Sequence, residues 1–231
     1  MLLRRDQHSR EELAETFAAQ VAANLASGIA ARGTAGIAVS GGTTPAKFFA
    51  ALSAHEELDW QKITVTLVDE RWVDESSDRS NAALVHAKLL QGAAAAAEFI
   101  PLYSGGDTPD AARIAETNAR LAGLPEVFDV VVLGMGGDGH TASFFPGGDT
   151  LDAVLTHPGP ALALTAPGAG EPRVTLTLPR LLKTEALYVH IEGEDKARTL
   201  EKALGDGPVA DMPIRAVLRQ AETPVVVYWC P

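Results

Sequence analysis

His140 closes the stretch GMGGDGH (residues 134–140), with Asp138 two positions before it and Thr141 directly after. An imidazole that titrates near neutrality is the natural group to take a proton from water, and a neighbouring carboxylate can hold it in one tautomer. A second stretch, LVDERWV, sets Asp69, Glu70 and Arg71 where an apolar run gives out. Arg71 can orient a carbonyl or a developing oxyanion there, and Asp69 can accept from a sugar hydroxyl or fix a catalytic partner. A third, SGGTTP, carries Ser40, Gly41, Gly42 and Thr43 between an apolar run and a helix start. Glycine lets the backbone approach a ligand, hydroxyls add donors, and free N–H groups at a helix N-terminus favour an anion. Lacking the G-x-x-x-x-G-K-[ST] pattern of a triphosphate loop, this stretch suits a single phosphate. Each has a plain structural alternative: a structural histidine in a glycine loop, a solvated charge cluster with Trp72 covering the core, or a tight turn before a capped helix. Their shared position at the ends of successive strands favours function.

Gly134, Gly136 and Gly139 also match G-x-G-x-x-G, the dinucleotide signature. That motif needs a sustained helix directly after the third glycine, to bind the pyrophosphate and pack on the strand. Phe145-Pro146-Gly147-Gly148 breaks any such helix within about two turns. No acid ends a following strand about 20 residues on, so no cofactor is expected. No metal is expected either, because His8, His55, His86, His157 and His190 show no ligand spacing. A G-x-S-x-G elbow is absent. His190, inside YVHIEG, reads as a packed core residue.

The elements that must position these groups follow from periodicity and caps. Ser9-Arg10-Glu11-Glu12 matches a capping box, and Leu13, Phe17, Val21, Ala22 and Leu25 follow at helical spacing until Gly33. AGIAV (35–39) predicts a strand, after which Thr44 can cap and Pro45 can begin a second helix. ITVTLVDE (63–70) reads as one strand, and a helix is predicted over 82–90. AEFIPL predicts a strand and Thr108-Pro109-Asp110 opens a helix to about Leu121. DVVVLG (129–134) is the clearest buried strand. Further strands are predicted at ALALTA, RVTLTL, LYVHIEG and PVVVYW, with helices near 179–183, 194–204 and 214–219. The AAAAA run at 93–97 reads as a helix end or a variable loop. Strands alternating with helices over nearly the whole length imply a single α/β domain, residues 1–231, of three layers: a mostly parallel sheet with helices on both faces.

Bulk properties narrow the partners. Nineteen basic against thirty acidic residues leave a net charge of −11, so the surface repels nucleic acid and anionic lipid, and an anionic ligand needs a local cluster of donors. One cysteine, Cys230, excludes an intrachain disulfide or a thiolate cluster and fits a reducing compartment, where a buried inert thiol is expected. No window reaches the roughly 18 to 20 apolar residues of a membrane span. A soluble, cytoplasmic protein, monomeric or weakly homo-oligomeric, is expected.

SGGTTP, VDERWV, LGMGGDGHTASFFPG, PRVTLTLP and GEDKA occur in this order over about residues 36–202. Together they resemble the 6-phosphogluconolactonases, members of the glucosamine/galactosamine-6-phosphate isomerase superfamily. GMGGDGHTASFFPG is the most specific piece. The resemblance implies a Rossmann-like, sugar-phosphate isomerase type of fold and cofactor-free hydrolysis of 6-phosphoglucono-δ-lactone to 6-phosphogluconate in the pentose phosphate pathway. It implies that His140 is the general base, that Arg71 steadies the oxyanion or ring, and that Asp138 or Asp69 orients donors and hydroxyls. It also implies that the phosphate rests on Ser40, Gly41, Gly42 and Thr43, with Arg173 and Lys196 supplying charge. Two alternatives stand beside it. One is a sugar-phosphate deaminase or isomerase, whose Asn-Glu pair after the histidine is replaced here by Phe144-Phe145-Pro146-Gly147. The other is a non-catalytic sugar-phosphate sensor, whose usual DNA-binding segment has no counterpart in the roughly 35 residues before AGIAV.

Overall fold

Ser9 caps the first helix as its spacing requires. Its hydroxyl accepts from the Glu12 N–H at 3.1 Å, the Glu12 carboxylate accepts from the His8 N–H at 2.8 Å, and Gly33 ends the helix at φ 84°. In the computed structural model, which describes residues 2–231, this helix is α1 (Arg10–Arg32), and it buries Leu13, Phe17, Val21, Ala22 and Leu25. The remaining strands and α-helices among the described residues are β1 (Leu2–Asp6), β2 (Ala35–Val39), α2 (Ala46–Ser53), β3 (Ile63–Leu67), β4 (Asp69–Arg71), α3 (Asn81–Lys88), β5 (Glu98–Ile100), α4 (Ala111–Leu121) and β6 (Val130–Leu133). They continue with α5 (Leu151–Thr156), β7 (Ala161–Leu164), β8 (Arg173–Leu176), α6 (Leu178–Leu181), β9 (Leu187–Glu192), α7 (Glu194–Leu204), α8 (Ile214–Arg219) and β10 (Val225–Cys230).

Seven of these strands form a parallel sheet in the order β1-β10-β9-β6-β2-β3-β5, flanked by helices. The central strands are buried throughout, which is why they read as unbroken apolar runs. Tyr188, His190 and Tyr228 meet Phe17 of α1, so their strand neighbours Val189, Ile191 and Val227 face the other side of the sheet. The predicted α/β architecture is the one observed.

Three details differ from the sequence expectation. ITVTLVDE is not one strand: β3 ends at Leu67, and β4 belongs to a separate three-stranded antiparallel sheet ordered β4-β8-β7. Val68 is the hinge, its N–H donating to Val39 of β2 at 2.9 Å and its carbonyl accepting from Leu176 of β8 at 2.9 Å. Both neighbours of β3 have run out at that level, and the backbone groups of residues 69–71 find partners in β8 instead. Thr44 does not cap α2; Pro45 occupies that position and no side chain accepts from the helix's first N–H groups. The sequence pattern also anticipates neither β1 nor α5. β1 is a polar edge strand, paired in parallel with β10, with the Arg4 guanidinium 4.7 Å from the Trp229 ring centroid.

The alanine run forms a short 3-10 helix over Gly92–Ala96. Cys230 is buried, and burial pushes its thiol up. No helix of the described residues is long and apolar enough to cross a membrane.

Candidate active site

The site lies where the C-terminal ends of β2, β6 and β9 meet the small antiparallel sheet, the edge on which open α/β sheets bind ligands. A cleft of about 320 Å³ opens there. Ser40, Gly41, Gly42, Thr43, Asp69, Arg71, His140, Arg173 and Lys196 all line it. Residues separated by up to 156 positions are thus brought to one cavity, and Asp138, which does not line it, stands behind the His140 ring.

The glycine loop after β6 builds the imidazole's support. Asp138 accepts from the His140 main-chain N–H at 3.0 Å and lies 2.6 Å from Nδ1. A carboxylate there fixes the proton on Nδ1 and leaves Nε2 as the basic nitrogen of the neutral ring. Burial raises the Asp138 carboxyl, but the two hydrogen bonds from His140 and the charge of its ring outweigh this and bring it down to about 2. Gly136 makes the arrangement possible, because a Cβ there would overlap both the His140 ring and the Asp138 carboxylate. The His140 ring lies over Phe145, with centroids 4.2 Å apart and planes 30° apart. No helix follows Gly139 before α5, so the loop lacks the element a dinucleotide site requires.

The cationic wall comes from the antiparallel sheet. Arg71 of β4 and Arg173 of β8 are directly opposed in the ladder, which puts both guanidiniums on one face. The Nε atom of each is buried without a hydrogen-bond partner. Arg71 also donates to the Arg79 carbonyl, and Arg173 donates to the Ala169 carbonyl at 2.5 Å and stands 5.5 Å from the Phe145 centroid. Burial pulls Arg173 below its usual value; Asp69 opposes that shift and Arg71 adds to it. Lys196, in the first turn of α7, is likewise lowered by burial and raised by Asp138.

The glycine loop SGGTTP sits between β2 and α2. Gly42 adopts φ 88°, and Gly41 packs so tightly on Asn81 that a Cβ would overlap its amide. The uncapped first turn of α2 leaves backbone donors at this end of the cleft.

The acids of β4 divide their work. Glu70 is buried and accepts from the N–H groups of Arg71, Asn81 and Ala82 and from the Ser80 hydroxyl, so it anchors α3; burial raises its carboxyl, against those hydrogen bonds. Asp69 is held from two sides. Its carbonyl accepts from Asn81 Nδ2 at 2.9 Å, and its Oδ2 accepts from the Ser143 hydroxyl at 2.6 Å. Asn81 and Ser143 are participants that residue type and spacing do not single out. Their signal was proximity alone, one after a helix-capping serine and the other inside the histidine loop. His190 lines the cleft too, though it is buried between Phe17 and Phe48 as expected of a core residue.

A parallel sheet with a glycine loop at one strand end and a carboxylate-fixed imidazole at the next defines an α/β protein with a polar cleft at its strand ends. More narrowly, the chain belongs to the glucosamine-6-phosphate isomerases/6-phosphogluconolactonase family, whose model matches residues 8–229. It is 53% identical over 221 residues to a 6-phosphogluconolactonase of Rhizobium meliloti, covering 95% of this chain and 94% of that one. A 6-phosphogluconolactonase of Mesorhizobium japonicum is 54% identical over 225 residues, covering 96% and 92%. Among solved structures, a 6-phosphogluconolactonase from Shewanella baltica superposes with a TM-score of 0.97 at 38% identity, covering 100% of this chain and 98% of that one.

Proposed function

We propose that this protein hydrolyses 6-phosphoglucono-δ-lactone to 6-phosphogluconate, the lactone-opening step of the oxidative pentose phosphate pathway, with His140 as general base. The observation that carries the reading is a single cleft bearing a carboxylate-fixed imidazole, two facing guanidiniums and a glycine anion loop. The similarity to proteins named 6-phosphogluconolactonase supports it.

In the reaction, His140 Nε2 takes a proton from water as the water oxygen bonds to the lactone carbonyl carbon. Arg71 bears the negative charge that develops on the carbonyl oxygen. The adduct collapses by breaking the bond from that carbon to the ring oxygen, which receives the proton back from Nε2. The acid formed then loses its proton to solvent. Asp138 keeps the ring in the useful tautomer, and Asp69 accepts from a substrate hydroxyl. Gly41, Gly42 and Thr43 hold the phosphate beside the Ser40 hydroxyl, and Arg173 and Lys196 compensate its charge. A lactone is already an activated electrophile, so a water activated by one imidazole is a sufficient nucleophile. Phe145, packed on His140, occupies the stretch where the deaminases carry an acid, which favours hydrolysis over deamination.

Turnover of freshly made 6-phosphoglucono-δ-lactone, corrected for spontaneous opening, tests the reading. The expected result is a kcat/KM far above that for unphosphorylated gluconolactone, with no ammonia released from glucosamine 6-phosphate. Equal rates on the two lactones would remove the phosphate assignment, and ammonia release would replace hydrolysis by deamination.

A further inference from the structure

Ser143 and Asp69 are 74 positions apart in the chain, yet their side chains form a 2.6 Å hydrogen bond, both of them buried. The hydroxyl donates to Oδ2. Ser143 is set by its own surroundings. Its N–H donates to the Thr175 hydroxyl of β8 at 3.4 Å, and the preceding residue, Ala142, has φ 45°. That left-handed conformation, rare for a residue with a Cβ, falls immediately after His140 and Thr141. Asn81 Nδ2 donates to the Asp69 main-chain carbonyl and so holds the backbone at this position. The Ser143 bond ties Oδ2, which leaves Oδ1 as the acceptor for the cleft that Asp69 lines.

We propose that Ser143 is a positioning residue that acts through Asp69, presenting Oδ1 to the substrate hydroxyl adjacent to the lactone carbonyl and so making the site selective for a 2-hydroxylated lactone. This rests on the reading of Asp69 given under the proposed function. The choice of hydroxyl follows from β4: Asp69 and Arg71 are two apart on that strand and both line the cleft, so the carboxylate stands beside the group assigned to the carbonyl oxygen. Without the hydroxyl, Asp69 is free to rotate about its side-chain bonds, and the acceptor is no longer held where the substrate needs it.

The test is a double-mutant cycle of Ser143→Ala and Asp69→Asn, assayed on 6-phosphoglucono-δ-lactone and on its 2-deoxy counterpart, with Ser143→Cys as a variant that keeps the side chain's shape. The expected result is a loss of about 10- to 100-fold in kcat/KM for Ser143→Ala on the hydroxylated lactone, and a loss under threefold on the 2-deoxy lactone. In the Asp69→Asn background, Ser143→Ala should add less than threefold on either substrate. Ser143→Cys should fall between wild type and Ser143→Ala on the hydroxylated lactone. Equal losses on both lactones, or the full loss persisting in Asp69→Asn, would reduce Ser143 to a packing role and overturn the proposal while leaving the hydrolase reading intact. A wild-type chain that opens neither lactone overturns the hydrolase reading and the proposal together.

Discussion

The two sheets supply different things to one cleft. The parallel sheet contributes strand ends and loops: the glycine turn after β2, the His140 loop after β6, and Lys196 in the helix after β9. The antiparallel sheet contributes side chains from the strands themselves, Asp69 and Arg71 from β4 and Arg173 from β8. A loop at a parallel strand end can offer backbone donors and an accessible ring. A ladder pair can hold two guanidiniums side by side, out of bulk water, at a fixed spacing. The imidazole therefore comes from a loop, and both guanidiniums come from a strand ladder.

Disturbing the loop side should cost most. Gly136→Ala places a methyl group against the His140 ring and Asp138, and the loop must shift to accept it. A loss of about 100-fold or more in kcat is expected with little change in the far-ultraviolet spectrum. Retention of wild-type kcat would mean that the position of the ring is not critical.

On the ladder side, Arg173 faces the like charge of Arg71 and the opposite charge of Asp69. Arg173→Met should raise the KM for the phosphosugar lactone about tenfold, with a smaller effect on kcat, because the phosphate is remote from the bond that breaks. The same variant relieves the Arg71 repulsion but also gives up the Asp69 attraction and the Ala169 hydrogen bond, so a net stability change under about 1 kcal/mol, or under about 2–4 °C in Tm, is expected without ligand. A Tm shift well beyond that range would show that one of these interactions dominates.

A smaller effect separates the two regions by pH. The Asp138 carboxyl is lowered to about 2, so its stabilising contribution is complete above its unfolded value near 4 and is lost as pH falls toward 2. The Tm difference between wild type and Asp138→Asn should accordingly narrow between about pH 4 and pH 2. A constant difference over that window would argue that Asp138 is not ionised against His140. Smallest of all, Ala142→Gly relieves a left-handed backbone but adds chain entropy to the unfolded state, so a stability change of under about 1 kcal/mol is expected by chemical denaturation.

Much of this comparison could be read before any coordinates, but unevenly. The buried parallel strands are legible because burial on both faces demands unbroken apolar runs, as in DVVVLG, and α1 is legible from its cap and its spacing. The antiparallel sheet is not, because β4 is three charged residues that continue an apolar strand without a turn signal; only the loss of pairing partners at Val68 reveals the change of sheet. β1 escapes for a related reason, since an edge strand held by pairing need not alternate. In the site, His140, the SGGT loop and the DER cluster announce themselves by residue type at strand ends. Arg173 and Lys196 were reached only through family resemblance, because an arginine opening a strand and a lysine on a helix look ordinary. Asn81 and Ser143 were not reached at all, since what distinguishes them is a long-range bond to Asp69.

The central claim is that one imidazole, fixed by one carboxylate, opens a phosphorylated lactone. The most direct test is the background-corrected hydrolysis of 6-phosphoglucono-δ-lactone by wild type and His140→Ala, with kcat and KM determined separately. The account predicts a fall of about 10² to 10⁴ in kcat with KM nearly unchanged. Undiminished turnover by the alanine variant would contradict it.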